Sequence, residues 1–74
     1  MGRLAGFRYR DVARKFGALG FALYRQAAGS HEIWKNAATG HVTTIPNPSG
    51  DMPEGTVRAI VRAAGVTPDE FLNA

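Results

Sequence analysis

Residues 21–46 read FALYRQAAGSHEIWKNAATGHVTTIP, and this stretch decides the fold. Phe21, Leu23 and Arg25 alternate with Ala22, Tyr24 and Gln26, the two-residue repeat of a β-strand. Ala27, Ala28 and Gly29 then turn the chain, and Ser30 to Asn36, carrying Ile33 and Trp34, reads as a second strand. Asn36 to Gly40 supplies turn chemistry before His41, Val42, Thr43, Thr44 and Ile45, a β-branched third strand. Pro46 and Pro48 cannot donate ladder hydrogen bonds, so the strand is expected to stop there and a loop to run through Ser49, Gly50 and Asp51. Three short strands joined by tight turns make an antiparallel meander.

The flanks are helical. Val12, Phe16 and Leu19 recur at i, i+4 and i+7, with Arg10, Arg14 and Lys15 on other faces, predicting an amphipathic helix from about Arg10 to Leu19 that Gly20 ends. An interior Gly17 costs up to ~1 kcal/mol and is expected near the fraying end. After the third strand, Val57, Ile60, Val61 and Ala64 mark a second helix, closed by Gly65 and an apolar Val66. Thr67, Pro68 and Glu70 then supply the N-cap, first-turn proline and capping-box partner of a short terminal helix carrying Phe71 and Leu72. The expected class is α+β in one domain spanning residues 1–74. A three-stranded sheet is marginal alone, so both apolar helix stripes should cover one face and leave the other to solvent or a ligand. Alternation puts His31, Ile33 and Lys35 on one face and Ser30, Glu32 and Trp34 on the other, without saying which meets the helices.

Composition narrows the function. With 74 residues, 45% hydrophobic and 20% charged, the chain is neither a disordered polyelectrolyte nor long enough for two domains. The absence of cysteine removes disulfides, thiolate nucleophiles and cysteine-ligated zinc, and no apolar run approaches the ~18 residues of a membrane span. Met1 to Phe7 lacks the apolar core of a signal peptide, so the expectation is a cytoplasmic protein with no membrane association. A net charge of +3, carried mostly by arginine, suits phosphate oxygens and makes nucleic acid the natural partner class. Arg3, Arg8, Arg10, Arg14 and Lys15 all precede residue 16, so the basic face is expected mainly from the N-terminal part.

Candidate chemistry is sparse. Gly17 and Gly20 end a helix where a phosphate-binding loop would open one. Ser30 and His31 are consecutive in a strand and point to opposite faces, so they cannot share a proton. His41 falls opposite about position 35 or 36, ~13–17 Å from His31 at ~3.3 Å per residue, too far for one metal ion. No metal or small-molecule cofactor is expected. His31, just past Gly29, is left as the candidate acid or base for phosphodiester cleavage, since an imidazole titrates near neutral pH and glycine lets a backbone approach. Trp34 and Tyr24 could stack bases or belong to the core.

The run Gly20–Gln26, then Gly29, Ser30, His31, then Pro46, and later Gly55, Thr56, Val57, Arg58, Ala59, Ile60, resembles the HicA family of toxins. The pattern is a helix ending in Gly-Phe, a strand with Arg-Gln, Gly-Ser-His at the second strand, a Val/Ile-Pro closing the third, and a Gly-Thr-Leu-Arg-x-Ile helix. The resemblance covers about residues 8–71 and implies a double-stranded-RNA-binding-domain-like fold: helix, three antiparallel strands, helix. It further implies an mRNA-cleaving toxin paired with a HicB-like antitoxin, with the catalytic role falling on His31. Arg25 and Lys35 are the candidate phosphate contacts, and Gly29 and Ser30 belong to the same RNA-binding segment. Two departures stand out: Asn47 to Asp51 replaces a commonly basic or histidine-bearing loop, and Ala27 and Ala28 stand where a lysine is frequent. A non-catalytic RNA-binding module and a protein-interaction subunit are the other classes compatible with the residues.

Overall fold

The computed structural model describes residues 3–47 and 50–74. Its elements run α1 (Tyr9–Ala18), β1 (Phe21–Gln26), β2 (His31–Asn36), β3 (Val42–Pro46), α2 (Glu54–Ala63) and α3 (Pro68–Leu72). The strands form one antiparallel sheet in the order β1-β2-β3. This is the expected α+β arrangement, helix, three-stranded sheet, helix and short terminal helix, consistent with a double-stranded-RNA-binding-domain-like fold.

All three helices pack on one face of the sheet. Val12 and Phe16 from α1, Val57, Ile60 and Val61 from α2, and Phe71 from α3 meet Phe21 and Ile45 of the sheet in one buried cluster. Phe16 sits at its centre, edge-on to Phe21 at 5.2 Å and tilted against Phe71 at 5.6 Å. Such pairs add about 0.5–1.5 kcal/mol beyond their buried area. Leu4 and Met52 complete this core from outside the regular elements. The backbone N–H of Met52 donates to the carbonyl of Phe7 (2.8 Å), tying the N-terminal segment to the loop before α2.

Helix ends follow the residues that mark them. Gly20 takes φ +96° directly after α1, and Gly17 lies in its last turn. At the end of α2 the N–H of Val66 donates to Val61 O (3.4 Å) and that of Gly65 to Arg62 O (3.1 Å), a Schellman motif with Gly65 at φ +74°. Thr67 and Glu70 form the capping box of α3, with Pro68 in its first turn. Asn36 serves the β2–β3 turn: its side-chain oxygen accepts from Ala38 N and Thr39 N, while its amide donates to Leu19 O.

β3 ends at Pro46 as expected, the proline closing an edge strand and pairing with His31, although the strand begins at Val42 rather than His41. Two expectations need correcting. The simple alternation along β1 breaks at Tyr24, because Leu23 pairs with Trp34 while Arg25 pairs with Ile33, leaving Tyr24 as an extra residue in a β-bulge. The N-terminal cations contribute less to an open basic face than their number suggests. Arg10 and Arg14 stay exposed, but Arg3 pairs with Asp69 and Arg8 with Asp51, while Lys15 is buried, donating to the carbonyls of Leu72 and Ala74. Of the expected loop from Pro46 onward, Pro48 and Ser49 lie outside the described residues.

Candidate RNA-facing site

The face left bare by the helices carries the candidate residues. Glu32 and Asn36 of β2 are buried toward the helices and Trp34 is half-buried there, so His31, Ile33 and Lys35 point the other way. The bulge at Tyr24 then changes the composition of this outer face. An unbroken strand would leave Arg25 in phase with buried Phe21; the slipped register sets it opposite Ile33, on the side of His31 and Lys35. One extra residue thus gathers His31, Arg25 and Lys35 on one exposed surface.

His31 opens β2 and its backbone is well held. Its carbonyl accepts from Ala27 N (2.9 Å) and from the side-chain amide of Gln26 (3.0 Å), which also reaches Gly29 O at 3.4 Å. Gly29 takes φ +67°, the left-handed turn conformation that glycine adopts without strain. Ser30 O accepts from Asn47 N (2.9 Å), fastening the same end to the residue after β3. The imidazole itself is exposed and makes no hydrogen bond among the described residues. Gly29 and Ser30 therefore shape the backbone around His31. Gln26, part of the Arg-Gln pair, holds the backbone on either side of Ser30, a contact that its place in the sequence does not announce.

His31 also lines a groove of about 500 Å³ along the free edge of β3, walled by Thr44 and Pro46 on the strand and by Gly55, Thr56, Ala59 and Ala63 along the length of α2. A Cβ added at Gly55 would meet nothing within 4 Å, so this wall is open. Beneath the strand, Glu32 is buried and accepts from the Tyr9 hydroxyl (2.6 Å) and the Trp34 indole N–H (3.1 Å). Burial, together with the Glu32 carboxylate beside it, pushes the Tyr9 hydroxyl pKa from 10.0 up to about 12. Trp34 takes part in this network and is half-buried against the core.

His41 lies one residue before β3, and its carbonyl accepts from Asn36 N (2.9 Å), five positions along β2 from His31. Its ring packs instead against Gly65 at the end of α2. Among the described residues no group of three or more His, Asp or Glu side chains is close enough to hold a metal ion, and no helix is long and apolar enough to cross a membrane.

A family model described as the HicA toxin of bacterial toxin-antitoxin systems matches residues 9–66, from the first residue of α1 to the Schellman residue after α2. The chain belongs to the HicA toxin family. A search of curated proteins returned no match. HicA membership makes this chain a toxin of a toxin–antitoxin system, in a family of RNase toxins, and implies a cognate antitoxin as its partner. The matched segment contains all of β1 to β3 and α2, hence every residue that lines the groove and the outer face.

Proposed function

We propose that this HicA toxin is a metal-independent endoribonuclease acting on mRNA in the cytoplasm, with His31 as general base. The observation that carries the reading is the exposed imidazole of His31, without a hydrogen-bond partner among the described residues, at the mouth of the β3 edge groove on the same face as Arg25 and Lys35. In the proposed step His31 takes the proton from a ribose 2′-hydroxyl, and the freed oxygen attacks the adjacent phosphorus. A cyclic phosphate forms as the bond to the 5′-oxygen breaks, and that oxygen takes a proton from water. A base so placed contributes ~10²–10⁴-fold. Arg25 and Lys35 hold the phosphate and offset charge on its oxygens. The antitoxin, in this reading, covers the same face and competes for the same cations, so inhibition is steric and electrostatic together.

A non-catalytic RNA-binding module is the second reading, favoured by the lack of any acceptor orienting the imidazole among the described residues. The two readings part on an RNA whose nucleotides are 2′-deoxy at the cut positions. The endoribonuclease leaves it intact while still binding it, and converts the all-ribose strand to fragments ending in a cyclic phosphate. Binding without fragments from either strand sinks the catalytic reading.

A further inference from the structure

The outer face carries one aromatic side chain that the proposed chemistry does not use. Tyr24, the extra residue of the β1 bulge, is 62% exposed, and the Lys35 ammonium stands 5.2 Å from its ring centroid. Beside it lies a cleft of about 310 Å³ lined by Ala22, Leu23, Tyr24, Lys35 and Ala37, with Leu23 also half-exposed. Small side chains at Ala22 and Ala37 leave the approach to the ring open. The other aromatics of the sheet face the helices: Phe21 is buried in the core and Trp34 is half-buried against it.

We infer that Tyr24 is a stacking platform for one unpaired nucleobase of the RNA strand whose backbone passes Arg25, Lys35 and His31; this rests on the RNA reading above. The ring offers a π-face, Lys35 offers a positive charge to the neighbouring phosphate, and the apolar floor of Leu23 and Ala22 favours a base over a hydrated ion. Tyr24 lies one strand across and two to three residues along from His31, about 10 Å away by strand geometry. Neighbouring nucleotides of one extended strand span that distance. A base inside a duplex is already stacked on both faces, so the occupant is single-stranded, and the bulge sets both the platform and the face of Arg25.

The test uses the full chain carrying His31→Ala, so that RNA is bound and not cut, and a single-stranded RNA containing 2-aminopurine, whose fluorescence is quenched by stacking. The parent should quench the probe. Tyr24→Ala should lose the quenching and bind the single strand roughly tenfold more weakly, while Tyr24→Phe, which keeps the π-face, should retain both. Duplex RNA of the same sequence should not distinguish the three proteins. Single-strand affinity and quenching unchanged in Tyr24→Ala overturn the platform, as does a variant that keeps RNA binding and loses only antitoxin binding, which would make Tyr24 a protein contact. Cleavage is scored separately in chains with His31 intact: a chain that binds through Tyr24 and never cuts defeats the catalytic reading and leaves the platform standing.

Discussion

Replacing Tyr9 by Phe removes one hydroxyl from beneath the site, and its consequences can be worked out. The Tyr9 hydroxyl donates to buried Glu32 at 2.6 Å, and among the described residues the only other donor to that oxygen is the Trp34 indole at 3.1 Å. A hydrogen bond to a charged acceptor contributes about 1.5–3 kcal/mol; with Trp34 still in place, the lower end applies, about 1.5 kcal/mol. For a chain of this size that lowers Tm by roughly 6–12 °C. The pH dependence carries a second signature. Because the folded-state pKa of Tyr9 is raised from 10.0 to about 12, its contribution is fully present below pH 10. Between about pH 10 and 12 the unfolded chain releases the proton and the folded chain keeps it, so stability falls as pH rises. Urea unfolding of wild type and Tyr9→Phe from pH 7 to 11 should therefore show a stability gap that narrows above pH 10, Tyr24 cancelling because both chains have it. A gap absent at pH 7, or one that stays constant to pH 11, refutes the Tyr9–Glu32 bond as described.

Two further outcomes follow from specific contacts. Gly65→Ala places a Cβ at φ +74° and 2.7 Å from His41 Nε2; the conformation alone costs about 1–2 kcal/mol, and Gly65→Asn should cost less, which thermal melts will compare. RNA binding should weaken steeply with salt, and Arg25→Ala or Lys35→Ala should each lower the slope of log K against log salt by about 1, measured by titration at several ionic strengths.

Much of the architecture was legible because local signals agreed. The two-residue repeats of the strands, the i, i+3, i+4 stripe of Val57, Ile60, Val61 and Ala64, and the Thr67–Pro68–Glu70 cap each point to one element. The bulge at Tyr24 was not legible, since no glycine or proline marks it; the slip is seen only in the pairing with Ile33 and Trp34, and it moves Arg25 to the other face. Alternation pairs Glu32 with Trp34 on one face without saying that this face meets the helices, and the burial of Glu32 depends on Tyr9 and Trp34 closing over it, the first of them 23 positions away. Leu4, Phe7 and Met52 carry no periodicity, so their place in or against the core comes from tertiary packing alone. The histidine is isolated by eliminating other chemistry and by the Gly-Ser-His resemblance, whereas its groove joins β3 to α2, a pairing that local sequence does not encode. Cations crowded before residue 16 suggested a basic face there, and pairing with Asp69, Asp51 and the terminal carbonyls took up three of them.

The central claim is that His31 itself carries out RNA cleavage without a metal ion, and one measurement bears on it most directly. Purified wild type and His31→Ala are incubated with a single-stranded RNA in excess EDTA, alongside thermal melts of both. Wild type should cut in EDTA, His31→Ala should cut at least about 100-fold more slowly, and the two should melt within a few degrees of each other, because an exposed side chain at a strand end adds little to the core. Cleavage by His31→Ala at the wild-type rate, or wild-type cleavage that EDTA abolishes, contradicts the claim.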